Sequence, residues 1–224
     1  MNMAKQKNIF EVPFGETKVL LHTCCAPCSS AIIECLMQHG VTPVIYYCNP
    51  NIYPREEYEI RKDECTRYAQ ALGLEIVDAD YDHEAWLEAV KGLECEPERG
   101  GRCLKCFKLR LLRTAEYAAS RGIRVITSTL ASSRWKSLDQ INEAGTWACE
   151  QVSGHYDSKW SACPSGTIDD SRLVVDSSPI VTPIYWTQNW KKGGLQERRL
   201  QIIKEYDFYN QLYCGCEFSM RKED

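Results

Sequence analysis

The chain has 224 residues, 44% of them hydrophobic and 26% charged, with a formal net charge of -4. That length allows one large domain or two small ones. The mild acidity argues against a non-specific nucleic-acid binder, though not against a local basic patch, and no run of 18 apolar residues is present to span a membrane.

The first sixteen residues, MNMAKQKNIFEVPFGE, carry neither an apolar h-region nor a small-residue cleavage site. No secretory signal is read there, and a cytoplasmic, reducing setting is expected. KVLLHT (18–23) reads as a buried strand, and Ser29 or Ser30 can cap a helix over AIIECLMQHG (31–40). VTPVIYYCN (41–49) is a second strand and NPNIYP (49–54) a turn. A helix over 56–73, a strand over 74–81 and a short helix over 83–93 follow, then a loop at 95–103. The spacing predicts a long helix over 104–122, a fourth strand over 123–130 and a helix over 137–151. Beyond about 152 the pattern breaks down: SGHYDSKWSACPSGTIDDS is polar and aperiodic, and SSPIVTPIYW is a strand or an extended loop. A last helix is predicted over 193–213, running into CGCEF. Alternating strands and helices call for an α/β fold with a parallel sheet and helices on both faces. With no repeat or clear linker, residues 18–224 read as a single domain behind an N-terminal tail of 1–17, with an irregular and helical C-terminal part.

Thirteen cysteines are many for such a chain. The count is odd and no export signal is seen, which favours metal or redox chemistry over a disulfide framework. Cys24 and Cys25 follow the first strand, on the rim where parallel sheets place their sites. RCLKC sets Cys103 and Cys106 three apart at the start of the long helix, whose N-terminus favours thiolates. The two pairs can converge on one centre, either an iron–sulfur cluster or zinc. CAPC also has a thioredoxin-like reading, weakened by the additional Cys24. Cys214 and Cys216, in YCGC, form either a labile redox pair or two packed thiols. Cys35, Cys48, Cys65, Cys95, Cys149 and Cys163 are scattered and are not read as ligands; Cys35 and Cys65 fit helix interiors as small buried hydrophobes.

Asn49 and Asn51 lie on the same predicted rim, as substrate contacts or as members of an Asx turn. Tyr81 and Asp82 end the third strand; Asp82 is a proton donor, a metal ligand or a helix cap. Arg102, Lys105, Lys108, Arg110 and Arg113 concentrate positive charge beside the CxxC, on a solvated face or against phosphates. WTQNWKKGG (186–194) interleaves aromatics with lysines and can stack a base or form a surface loop. His22 reads as a packed residue.

LLHTCCAPCSS, YYCNPNIYPREEYEIR, the YD at 81–82, ERGGRCLKCFKLRL, TSTLASS and NQLYCGCEFS together resemble the QueH-type epoxyqueuosine reductases, cobalamin-independent enzymes of queuosine biosynthesis. The resemblance implies a Rossmann-like, PP-loop or HUP-like fold. It implies reduction of the epoxide of epoxyqueuosine to queuosine at the tRNA wobble position, the last step of that biosynthesis. It further implies a [4Fe-4S] cluster on Cys24, Cys25, Cys103 and Cys106, a second metal at Cys28, and a redox-active Cys214–Cys216 pair. Catalytic roles fall on Cys28, Asp82, Cys214 and Cys216, and substrate binding on Asn49, Asn51, Arg102 and Arg110. The partners are tRNA carrying epoxyqueuosine and an external electron donor such as a reductase, ferredoxin or flavodoxin. Two rival readings stand beside it. One is a PP-loop-type tRNA sulfur transferase, although CCAPCSS occupies the place of an SGGxDS-like phosphate loop. The other is a non-catalytic zinc-binding module.

Overall fold

β1 (Lys18–Thr23) is buried at every residue but its first, so it needs cover on both faces. In the computed structural model, which describes residues 10–161 and 181–220, it lies at the centre of a five-stranded sheet. β1 pairs with β2 (Thr42–Tyr47) and β4 (Val125–Ser128), and the outer neighbours are β3 (Ile76–Asp78) and β5 (Ile184–Tyr185). The order is β3-β2-β1-β4-β5, and every pairing is parallel.

The period of two along β1 sorts its side chains between two layers. Val19 and Leu21 face α1 (Ala26–Gln38), α2 (Arg55–Ala71) and α6 (Leu195–Glu205), against Ile32, Leu36, Tyr58, Tyr68 and Ile202. Leu20 faces α4 (Gly101–Ser120) and α5 (Leu138–Ser161), against Phe107, Leu111, Ile141 and Ala144. α3 (His83–Val90) buries Trp86 and Val90 in a small third cluster with Cys106 and Cys216. The expected α/β architecture is thus present. Among the described residues no helix is long and apolar enough to cross a membrane.

Several boundaries differ from the sequence reading, each for a local reason. α1 begins at Ala26 rather than after Ser30: Pro27 sits in the first turn, where its missing N–H costs nothing. Ser29 therefore does not cap; its hydroxyl donates to the carbonyls of Cys25 and Ala26. α4 starts at Gly101, which moves Arg102 and Cys103 from the expected loop into the helix. α5 continues to Ser161, past the point where apolar periodicity fades. The remainder of the polar stretch, including Cys163, lies outside the described residues. The last helix stops at Glu205 instead of 213, with Asp207 at a positive φ of 51° just beyond it. Trp186 and Trp190 are buried in the core against Phe10, so the aromatics of WTQNWKKGG are not a base-stacking surface.

Candidate metal centre at the sheet rim

The chain leaves β1 for β2 and β3, then returns to place β4 and β5 on the other side of β1. That reversal opens a crevice beyond the carboxyl ends of β1 and β4. Cys24 enters it directly from β1. Its N–H donates to Thr129 Oγ1 at 3.3 Å, and its sulfur lies 3.5 Å from the same hydroxyl, at the end of β4. Cys25 is the residue before α1, and Cys28 lies in the first turn of that helix. The sulfurs of Cys24, Cys25 and Cys28 all lie within 4.8 Å of one another, a group with metal-binding geometry.

Buried polar side chains fix the floor of the crevice. The Cys48 carbonyl accepts from Arg110 Nε and His22 Nε2, both at 3.1 Å. A carbonyl only accepts, so the His22 proton is on Nε2, and Nδ1 takes the Ser128 hydroxyl at 2.9 Å. Burial, then the Arg110 charge, lowers the His22 pKa to about 3, which keeps the ring neutral. Arg110 also donates to Asn49 Oδ1, and Asn49 Nδ2 donates to the Thr23 carbonyl at 2.9 Å. The remaining Arg110 nitrogen points at Cys106 Sγ, 3.9 Å away. Cys103, one turn earlier, accepts from the Arg99 N–H at 3.3 Å and packs with the Cys24, Cys25 and Cys28 layer.

The YCGC segment closes the crevice from the C-terminal side. Arg61 of α2, paired with Glu57, donates to the Tyr213 and Cys214 carbonyls. The Tyr53 N–H donates to the Gly215 carbonyl at 2.8 Å. Cys214 and Cys216 are both free thiols. Just ahead of them, Gln211 donates from Nε2 to Cys25 Sγ at 2.9 Å and to Cys28 Sγ at 3.9 Å. Its Oε1 is buried without a partner, as is Asn51 Oδ1.

The charge inventory identifies the occupant this crevice suits. Among the described residues the buried cations are Arg61, Arg102, Arg110 and Lys136, and the buried carboxylate is Glu57. Buried charges need partners, so the excess of cations calls for anions that the side-chain oxygens do not supply. Thiolates can supply them. Contacts from the Cys25 and Cys28 thiols hold Cys24 well below the usual thiol range. Burial pushes Cys25 up, and the Cys24 contact pushes Cys28 to about 12. A bound metal deprotonates the thiols that coordinate it. The N-termini of α1 and α4 also lie at these cysteines, and neither helix has an acidic residue in its first turn. The donor set and the charge balance therefore fit a thiolate-ligated metal or iron–sulfur site.

The residues singled out in the sequence fall as follows. Cys24, Cys25 and Cys28 form one group that does not include Cys103 or Cys106; Cys103 packs against the same cluster as Cys24 and Cys25, whereas Cys106 and Cys216 pack with Trp86 and Val90 in the third cluster. Asn49 and Arg110 bond to each other and to the backbone. Arg102 donates to the Glu94 and Glu96 carbonyls. Asp82 caps α3 through the Ala85 N–H and pairs with Arg113 at 3.0 Å. Tyr81 donates to the Ile52 carbonyl. Lys136, Gln211, Arg61 and Thr129 are the additions. The rim argument used for strands one to three also applies to strand four, and it points to Thr129 and the segment up to Lys136.

Comparison with known proteins follows this geometry. The family model described as "Epoxyqueuosine reductase QueH" matches residues 19–163 and 177–222. The chain is 42% identical over 211 residues to the epoxyqueuosine reductase QueH of Histophilus somni, covering 94% of this chain and 75% of that one. It is 43% identical to the QueH of Haemophilus influenzae, with the same coverage. It is 40% identical over 219 residues to the QueH of Acinetobacter baylyi, covering 98% and 88%. Among solved structures, the U34-tRNA thiolase NcsA of Methanococcus maripaludis with its [4Fe-4S] cluster is similar at a TM-score of 0.45 and 11% identity, over 92% of this chain and 62% of that one.

Proposed function

The chain belongs to the QueH family of epoxyqueuosine reductases, and from that premise we propose that its cysteine-lined rim is where epoxyqueuosine in tRNA is reduced. The chain is an oxidoreductase that converts epoxyqueuosine to queuosine. The observation that supports placing this reaction at the rim is the group of three thiols in an interior that, among the described residues, buries four cations against one carboxylate. We assign Cys24, Cys25, Cys103 and Cys106 as ligands of a [4Fe-4S] cluster and Cys28 as a ligand of a second metal. When bound, such a centre passes single electrons and offers an open position that polarises the epoxide oxygen.

The reaction breaks both C–O bonds of the epoxide, takes up two electrons and two protons, forms the alkene and releases water. Oxidation of the Cys214 and Cys216 thiols to a disulfide releases two electrons and two protons, the same stoichiometry. With Asp82 committed to α3 and Arg113, the protons are assigned to this pair. An external reductase, ferredoxin or flavodoxin then restores the dithiol. Asn49 and Arg110 shape the floor, Arg102 holds the start of α4, and the unpartnered oxygens of Asn51 and Gln211 accept hydroxyl or amine donors from the substrate.

The test is anaerobic incubation of reconstituted protein and a chemical reductant with tRNA carrying epoxyqueuosine, read by nucleoside mass spectrometry. Queuosine should form. Cys106→Ala should lose iron and turnover together, whereas Cys28→Ala should keep most iron and lose turnover. A colourless zinc protein with no turnover would overturn the reading. Iron lost equally from Cys28→Ala would place Cys28 among the cluster ligands.

A further inference from the structure

Asn210 and Leu212 are both exposed, Leu212 with 78% of its surface in solvent, yet Gln211 between them turns inward onto the sulfurs at the start of α1. Its backbone is held by its neighbours rather than by its own amide. Tyr209 donates from its N–H to Glu64 Oε1 at 2.8 Å and from its hydroxyl to Glu57 Oε2 at 2.9 Å. On the other side the Tyr213 hydroxyl donates to the Tyr53 carbonyl, and Arg61 donates to the Tyr213 and Cys214 carbonyls. A segment anchored on both sides thus carries the amide to Cys25 Sγ, at 2.9 Å, and Cys28 Sγ, at 3.9 Å. A metal-bound thiolate only accepts, which orients the amide with Nε2 toward the sulfurs. Oε1, at the other end, is buried without a partner among the described residues. An unmet buried acceptor is costly, and a methionine would fill the same space without that cost, so packing does not account for an amide here.

We propose that Gln211 is a positioning residue that ties the nucleoside to the redox centre: Nε2 donates to the Cys25 sulfur and raises the potential at which the centre accepts an electron, and Oε1 takes a donor of the bound nucleoside, which strengthens that hydrogen bond. The inference rests on the reading that these cysteines hold a redox metal centre where the nucleoside binds. Reduction adds negative charge that the ligand sulfurs share, and an N–H aimed at a sulfur favours the more negative state. A donor on Oε1 polarises the amide and makes its N–H a better donor, because hydrogen bonds in a chain reinforce one another where the dielectric is low. An empty site is therefore harder to reduce than an occupied one, which holds electrons back until a substrate is there to receive them. By linkage, the reduced protein binds the nucleoside more tightly than the oxidised protein by the same factor.

The measurement is a spectroelectrochemical titration of anaerobically reconstituted wild type, Gln211→Met and Gln211→Glu. Each is titrated alone, with saturating tRNA carrying queuosine, which has no epoxide to consume, and with the same tRNA unmodified at the wobble base, which brings the phosphate charge alone. In wild type the queuosine tRNA should give a higher midpoint than the unmodified one. Gln211→Met keeps length and volume but neither end of the amide. Its midpoint should fall below wild type and be the same with either tRNA, with iron content unchanged. Gln211→Glu keeps an acceptor and loses the donor, so its midpoint should fall at least as far. A wild-type midpoint in both iron-replete variants, or a wild-type protein that does not distinguish the two tRNAs, would overturn the proposal. Loss of iron from both variants would overturn it in favour of a structural role. A wild-type protein that binds no redox metal would instead overturn the underlying reading, which separates the two failures.

Discussion

Gly215 sits between Cys214 and Cys216 with φ at 125°, a conformation that side-chain-bearing residues rarely adopt. A Cβ there would meet Arg61 Nη1 and Ile52 Cγ1, each at 3.1 Å. Both groups hold the segment in place, so neither can yield freely. Gly215→Ala should therefore cost about 1–3 kcal/mol, visible as a lowered denaturation midpoint, and should slow reduction by displacing the two thiols. Retained stability and rate would mean that the CGC turn is held by something other than Gly215. At this scale the cysteines were legible because thiols at short spacing carry chemistry that few other roles need. Lys136 and Gln211 were not, because a single lysine or glutamine has no periodicity and reads as solvated surface. Asp82 was legible only as a choice between roles, and its contacts in the fold are the cap and Arg113.

Elements were easiest to read where the apolar period was strong, as in β1, β2 and α4. They were hardest where a terminus depends on tertiary contacts. α6 ends early because Tyr206 and Phe208 turn back onto Tyr68 of α2, a packing that the helical spacing of 193–213 does not reveal. β5 pairs through two residues only and owes its place to β4 and α5. There Gly145 of α5 lets the helix lie directly on the Tyr185 ring, since a Cβ would overlap three ring atoms. Gly145→Ala should cost about 1–3 kcal/mol despite alanine's better helix propensity, because a packed aromatic has nowhere to move. Thermal denaturation checks the size of the loss. Because none of the assigned metal ligands lies on α5, the folded variant should keep its iron content; a stabilised variant would show that α5 can shift off β5.

For the whole molecule the governing feature is charge. The chain is acidic overall, but its interior at the rim is cationic, with Arg61, Arg102, Arg110 and Lys136 against Glu57. Composition could not show this inversion, since it depends on which charges the fold turns inward. It also ties metal binding to stability. Metal-bound cysteines are thiolates, and removing the metal lets most of them protonate, which leaves the cations in excess of Glu57 without an anionic partner. Uncompensated buried charge typically costs about 3–5 kcal/mol when a partner is lost. Anaerobic removal of the metal should therefore lower the denaturation midpoint by more than the loss of a surface ion would. The decisive comparison is the same difference in Lys136→Met. That variant has one fewer stranded cation when metal-free, which narrows the gap between the two forms, so the loaded-minus-free stability should be smaller in the variant than in wild type. Chemical denaturation of the four samples, with iron quantified in each, measures it. Equal gaps would mean that the metal stabilises through its bonds alone and that the buried cations find other partners once it has gone.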